Sequence, residues 1–363
     1  MDSTNISVGV IFGGVSGEHS VSIKSAKTVV NALRINSNQK IFNVIPLYID
    51  QEGKWYGSDI ANKILKEGSI LKSLDLEEKK QDLNYEFLPN EINYVDVFFP
   101  VLHGPNGEDG TIQGLFELMR KPYVGANILG SALGMDKLAM KAIFASAGLP
   151  QAPYLGANAI SIKDKKGQDI LIEKCESLIG YPCFIKPANL GSSVGISKAF
   201  NREGIINGLK EASLHDTRIV IEKAINCREL ECAVMGNDEL ISSLVGEIRF
   251  NADWYDYQTK YLATESNKII IPADLKPAIS NKIRKLSLEA CQAISVTGMA
   301  RVDFFYSYDT QEIFINEVNT LPGFTAQSMY PLLWEASGLN LEELVANLVT
   351  SAKKQLVLNQ NQK

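Results

Sequence analysis

Between Gly298 and Gly323 the chain reads GMARVDFFYSYDTQEIFINEVNTLPG, and no other stretch limits the fold as tightly. Two apolar runs flank a polar turn at Ser307 to Gln311, the pattern of two strands joined as a hairpin. Strand side chains alternate between faces, so Arg301 and Asp303 share one face of the first strand, and Glu317 and Asn319 share one face of the second. A hairpin brings the four together. On a solvent-facing edge they would be ordinary alternation. In a site, two carboxylates and an amide oxygen are hard ligands suited to Mg²⁺, and the arginine can hold an oxyanion or a phosphoryl group. The turn Thr320-Leu321-Pro322-Gly323 follows at once and can aim backbone N–H groups at what the metal holds, which favours the second reading.

The 363 residues, 45% of them hydrophobic, suffice for a large core divided among two or three lobes. A net charge of −6 argues against nucleic acid but leaves room for a locally basic cleft. The five cysteines form no CxxC pair, and the N-terminus lacks a charged segment followed by an apolar one, so a reduced, cytosolic chain is expected. No apolar run approaches the roughly 20 residues that cross a bilayer.

Along the chain, a strand at Ser7 to Phe12, a glycine loop at Gly13 to Glu18 and an apolar-periodic helix make an α/β opening. Glu18 at that helix start is either a partner for the helix dipole or a clamp for a substrate ammonium. Gln51 to Asn93 is a long polar stretch that assigns nothing. A buried strand over Tyr94 to Leu102 runs into HGPNGEDG, and a helix is expected over Thr111 to Arg120; open α/β sheets bind ligands at such carboxyl ends. His103 is either a satisfied loop histidine or a group that orients or deprotonates substrate, and Asp109 reads as an N-cap. A helix over Met135 to Ala147 stops at Gly148. CFIKPANLGSSVGISK, from Cys183, is strand, glycine-serine loop, strand; it is a plain hairpin or, with Lys186 before it, a lid that closes backbone donors over a phosphate chain. Arg218 to Ile225 and Glu229 to Val234 are further strands, where Glu222 and Glu229 are solvated charges or ligands for a nucleoside. The aromatic stretch Asn251 to Leu262 has no period and suggests a flap. Lys276 to Ile294 is an amphipathic helix, and Tyr330 to Leu356 closes the chain in helix.

In this order GGVSGEHSVS, HGPNGEDGT, MDK at Met135 to Lys137, KPANLGSSVG, WYDYQTKY, RVD and NEVNTLPG with Gln327-Ser328-Met329 resemble the ATP-grasp superfamily, and within it the D-alanine–D-alanine ligases, from about Ser7 to Leu356. The resemblance implies a three-lobed α/β (α+β) fold: an N-terminal parallel-sheet lobe over residues 1–126, a nucleotide lid over 127–220 and a metal and substrate lobe over 221–363. It implies that two D-alanines are joined at the expense of ATP, through an acyl phosphate and a tetrahedral intermediate, in a cytoplasmic homodimer serving peptidoglycan synthesis. By position, Lys137, Lys186, Ser192, Ser193, Glu222, Lys223, Glu229, Asn316 and Glu317 would hold ATP, with the backbone at Ala224 and Ile225 reading adenine. Asp303, Glu317 and Asn319 would ligate two Mg²⁺, for which Mn²⁺ can substitute. Glu18, with His103 nearby, would hold the first D-alanine, while Ser328 and Met329 receive the carboxylate of the second. Ser192 and Tyr261 would join Glu18 in a network closing flap and lid, with Lys260 toward the γ-phosphate. Arg301 and the Gly323 N–H would stabilise the tetrahedral intermediate.

Two rival readings stand beside this one: a ligase with D-lactate or D-serine as acceptor, and a nucleotide-binding regulator that kept the lobes and lost the chemistry. The presence of Arg301, Asp303, Glu317 and Asn319 weighs against the regulator. The resemblance associates a tyrosine at Tyr261 with an amine acceptor. Tyr261→Phe should therefore loosen discrimination against D-lactate by about 1–3 kcal/mol, the cost of one unpaired buried polar group. A competition between D-alanine and D-lactate near neutral pH, with amide and ester products quantified, checks it; an unchanged ratio leaves Tyr261 a packing residue.

Overall fold

The computed structural model describes residues 5–70, 88–160, 162–191, 194–250 and 267–361. Strand β1 (Ile6–Gly13) is apolar and buried because it lies between two parallel neighbours, β2 (Phe42–Ile49) and β4 (Val97–Val101). A short antiparallel strand β3 (Trp55–Tyr56) completes the order β3-β2-β1-β4. Helix α1 (His19–Arg34) buries Ile23, Ala26, Val30 and Leu33, the three-to-four spacing of a helix packed on a sheet. Helices α2 (Ser58–Glu67) and α3 (Thr111–Leu118) belong to the same lobe.

Next come α4 (Ile128–Met135) and α5 (Lys137–Ser146), then β5 (Tyr154–Asn158), α6 (Lys165–Leu178), β6 (Cys183–Pro187), β7 (Ser197–Ala199), α7 (Arg202–Ser213) and β8 (Arg218–Lys223). The four strands form an antiparallel sheet in the order β5-β8-β6-β7. A second antiparallel sheet, in the order β11-β10-β9-β12-β13, uses β9 (Cys227–Gly236), β10 (Leu240–Phe250), β11 (Asn267–Ile270), β12 (Gly298–Ser307) and β13 (Ile313–Asn319). Helix α8 (Pro277–Ala293) covers one face of it, and α9 (Met329–Ala336) and α10 (Leu341–Asn361) follow β13.

The hairpin, the glycine loops and the helices fall where the sequence places them, with three differences of local origin. The buried strand expected from Tyr94 begins only at Val97, since Asn90–Tyr94 turn into a 3₁₀ helix. The helix expected over Met135 to Ala147 begins only at Lys137, because Asp136 leaves the helical region as its N-cap and its carboxylate accepts from Leu138 N and Ala139 N at 3.0 and 2.9 Å, while Met135 closes the preceding α4. Asp109 is one residue early for an N-cap: Gly110 holds that position, while Asp109 still accepts from Thr111 N at 3.0 Å.

Buried side chains fall into three clusters. The largest joins the parallel sheet to one side of the five-stranded sheet, from Val10 and Phe99 to Met299, Phe324 and Tyr330. A second lies between the five-stranded sheet and α8, around Cys232, Val302 and Ile283. The third, from Ile172 to Ile185 and Ile221, belongs to the four-stranded sheet alone. The five cysteines are free, and no helix among the described residues is long and apolar enough to cross a membrane.

Gly298, at the start of β12, has a φ of 74°, and an added β-carbon there would lie 2.2 Å from the Gly125 carbonyl oxygen. A left-handed conformation costs a residue with a side chain about 1–2 kcal/mol, and here the backbone of Gly125 must also give way. Gly298→Ala should lose about 2 kcal/mol or more of stability, the conformational term plus that displacement. Urea unfolding measures it.

Candidate active site

A cavity of 460 Å³ lies between the four-stranded and five-stranded sheets and reaches Glu18 and Glu108 of the first lobe. Its floor is the hairpin. In the register of β12 and β13, Arg301 faces Asn319 and Asp303 faces Glu317, so the four groups read from the sequence do meet. All four line the cavity. Between Asp303 and Phe304 the register shifts and Asn316 becomes the extra residue of a bulge. Strict alternation would turn Asn316 toward the core, yet Asn316 and Glu317 both line the cavity.

Arg301 donates from Nε and Nη2 to the two oxygens of Asp303, both at 2.7 Å, and its Nε lies 2.8 Å from Glu231. Burial opposes the charge of this arginine, but Asp303 and Glu231 outweigh it and hold the guanidinium firmly protonated. Glu231 escaped the sequence reading: it stands on β9, opposite Asp303, and only the pairing of β9 with β12 brings it here. Lys137 lies 3.2 Å from Glu317 and donates to the Leu190 carbonyl at 2.9 Å. The charges of Lys137 and Lys186 hold the Glu317 carboxyl below the usual carboxylate range.

Glu222 does not behave as a solvated charge. It is buried between two lysines, hydrogen-bonded to Lys186 through one oxygen and 3.0 Å from Lys141 through the other. Burial pushes its carboxyl up, but Lys141 and Lys186 outweigh this and hold it at about 2. Lys141 is the second group that sequence reasoning missed. Lys186 and Glu229 line the cavity, as does Ile225. The Ala224 N–H is given to the Pro182 carbonyl at 3.0 Å, and Lys223 is exposed, outside the cavity lining.

Glu18 caps α1 and its carboxylate sits between two loops, within 2.9 Å of where a β-carbon at Gly104 would stand and 3.5 Å of one at Gly191. His103 is buried and touches the Leu321 carbonyl through Nδ1 and Ser25 Oγ through Nε2, both at 3.1 Å. Burial lowers its basicity, but Glu108, 3.8 Å away, and Glu18 raise it further than burial lowers it. The ring is thus satisfied, as in the first reading of this histidine, and it braces the turn that carries Gly323. Ser328 precedes α9 and its Oγ accepts from Thr325 N at 3.0 Å; Gly323 stands against the same hydroxyl, and Met329 lines the cavity. Ser192, Ser193, Lys260, Tyr261 and the aromatic stretch around them lie outside the described residues.

The donors of Asp303, Glu317 and Asn319 are all oxygens, two of them carboxylates neutralised by Arg301 and Lys137. That chemistry suits Mg²⁺ or Mn²⁺ and no softer metal. Lys137, Lys186 and Arg301 share the cavity with these carboxylates, so both signs of charge line it.

The chain matches the family model described as D-ala D-ala ligase N-terminus over residues 7–126 and that described as D-ala D-ala ligase C-terminus over residues 143–350. It is 54% identical to a D-alanine–D-alanine ligase of Synechococcus sp. (strain CC9311), covering 98% of this chain and 100% of that one. It is 55% identical to one of Parasynechococcus marenigrum (strain WH8102), over 97% and 99%. Among solved structures it is similar to the VanG D-Ala:D-Ser ligase of Enterococcus faecalis, at 35% identity and a TM-score of 0.80 over 96% of this chain and 100% of that one. It is also similar to the D-alanine–D-alanine ligase of Coxiella burnetii, at 31% identity and a TM-score of 0.78 over 98% and 96%.

Glu222 carries a prediction in pH. Its carboxyl titrates lower when folded than its unfolded value of about 4.3, so its contribution is complete above that value and is lost as pH falls toward 2. At pH 7, Glu222→Gln should cost about 3–5 kcal/mol, the usual result of unpairing buried charge. In urea unfolding from pH 7 to pH 3, the gap to wild type should be constant down to about pH 4 and narrow below it.

Proposed function

The chain belongs to the D-alanine–D-alanine ligase family, an ATP-dependent one, and from that premise we propose that it joins two D-alanines into D-alanyl-D-alanine, releasing ADP and phosphate. The observation that carries this reading is the floor of the cavity, where Arg301, Asp303, Glu317 and Asn319 face one another across two paired strands beside Lys137 and Lys186. A regulator that had abandoned chemistry has no need of buried charge in this arrangement. D-alanine rather than D-serine as acceptor is favoured by identity: relatives at 54% and 55% carry the D-alanine name, against 35% for the D-Ala:D-Ser ligase.

A carboxylate is too poor an electrophile to meet an amine directly, so the first D-alanine must be activated. Glu18 lies where it can clamp that substrate's ammonium, leaving the carboxylate to face the γ-phosphate. Carboxylate oxygen attacks phosphorus, ADP leaves, and an acyl phosphate results. The amine of the second D-alanine, after losing a proton, attacks the acyl carbon; the tetrahedral intermediate collapses and phosphate departs. Mg²⁺, held by Asp303, Glu317 and Asn319, would supply neutralisation of the phosphate oxygens when bound. Lys137 and Lys186 hold the phosphate chain, with Glu229, Ile225 and Asn316 on the nucleoside side. Arg301 and the Gly323 N–H face the oxyanion, and Ser328 and Met329 meet the second carboxylate. The five cysteines and the serines are not required as nucleophiles. Exclusion of water from the site would protect the acyl phosphate from hydrolysis. A cytoplasmic homodimer supplying cell-wall precursor belongs to the same reading.

Incubation of the protein with ATP, Mg²⁺ and D-alanine should give D-alanyl-D-alanine and phosphate in equal amounts. Glu317→Gln should cripple phosphate release while the melting temperature stays close to wild type. Near-normal turnover in that variant, or a product other than the dipeptide, overturns the assignment.

A further inference from the structure

One buried group near the cavity has no part in the chemistry above. Lys141, on α5, is 2% exposed and does not line the cavity. Its Nζ lies 3.0 Å from one oxygen of Glu222 and 5.4 Å from the centre of the Tyr154 ring, a cation–π contact from the neighbouring strand. Tyr154 is the cross-strand partner of Glu222, so ring and carboxylate fix the ammonium between them. The other oxygen of Glu222 takes Lys186, which does reach the cavity.

In direct contact the arrangement is unequal: two buried ammoniums meet one carboxylate, while Glu317 and Glu229 act on Lys186 only from the cavity side. A fold that had only to satisfy Lys186 would use one carboxylate for it, and a second buried lysine adds desolvation without need. The surplus positive charge makes sense if an anion completes the set. Lys186 already meets one oxygen of Glu222, and Lys141 takes the other, so the contacting trio carries one net positive charge where Glu222 and Lys186 alone would be neutral. With Lys141 holding half of Glu222, the pair at Lys186 stays short of neutrality on the side that faces the cavity.

We propose that Lys141 is a positioning residue for the nucleotide's phosphates: by sharing Glu222, it leaves Lys186 with unspent charge aimed at them. The inference rests on the ATP-dependent reading above and names the part of ATP that the Lys141–Glu222–Lys186 chain recognises. The charge balance agrees with it, since Lys141 and Lys186 both pull the Glu222 carboxyl down against burial.

The test separates phosphate from base. Affinities of wild type and Lys141→Met for the non-hydrolysable analogue AMP-PNP and for adenosine are compared, with KM for ATP and for D-alanine measured beside them. AMP-PNP binding should weaken about tenfold or more, the size of one charge-assisted hydrogen bond, and KM for ATP should rise in step. Adenosine binding and KM for D-alanine should stay within about twofold. Lys141→Arg, which restores the charge, should recover most of the loss. Equal weakening for adenosine and AMP-PNP, or no selective change, overturns the role of Lys141. A wild type that binds neither nucleotide overturns the ATP reading itself, a result distinct from the first. If Lys141→Met loses its cooperative melt, Lys141→Gln takes its place; loss of the fold there too assigns Lys141 to core stability and overturns the proposal.

Discussion

A buried charge is tolerated only where an opposite charge meets it in good geometry, and around this cavity nearly every charged group is placed by that constraint. Arg301 is held by Asp303 and Glu231, Glu317 by Lys137, and Glu222 by Lys141 and Lys186. The partners come from α5, β6, β8, β9, β12 and β13, so no single element can move without exposing or orphaning a charge on another. The charge pairs are thus formed before any ligand arrives, which lowers the ordering cost of binding. The same pairs have to loosen when an anion or cation enters. Arg301 has a second carboxylate for that purpose: when Asp303 is engaged elsewhere, Glu231 still orients the guanidinium.

Geometry on the floor follows from pleat and register. Glu229 and Glu231 on β9, Asp303 on β12 and Glu317 on β13 face the same cavity because residues paired directly across antiparallel neighbours share one side of the sheet. The bulge at Asn316 adds a polar side chain without disturbing this. Ile313, Ile315 and Val318 remain buried on the opposite side, two of them before the extra residue and one after it.

Much of this was legible in the sequence because it is local. Period-two alternation is enough to pair Arg301 with Asp303 and Glu317 with Asn319, and the polar turn at Ser307 to Gln311 is enough to bring the pairs together. Glu231 and Lys141 were hidden for the opposite reason. Each sits in an amphipathic pattern where a charge ordinarily points to water, and what buries it is a partner far away in sequence: Glu231 depends on Arg301, and Lys141 on Glu222. The start of α5 at Lys137 was hidden because Met135 is itself a good helix former and only the hydrogen bonds of the Asp136 carboxylate to Leu138 N and Ala139 N fix it. The placement of His103 against Leu321 likewise needs the first lobe docked on the last.

Three sheets do not make three independent cores. The parallel sheet and one side of the five-stranded sheet share a single apolar cluster, from Val10 through Met299 to Tyr330, whereas Ile172, Ile185 and Ile221 belong to a small cluster under the four-stranded sheet alone. Free energy of unfolding is distributed accordingly. The four-stranded unit can lose its packing while the larger body keeps its own, and its loss would take Lys186 and Glu222 away and leave Glu18, Arg301 and Asp303 in place. Amide exchange would then sort the cavity by lobe, with protons of β6 and β8 replaced before those of β1 and β12: the wall that carries Lys186 and Glu222 shares least of its core with the rest of the chain.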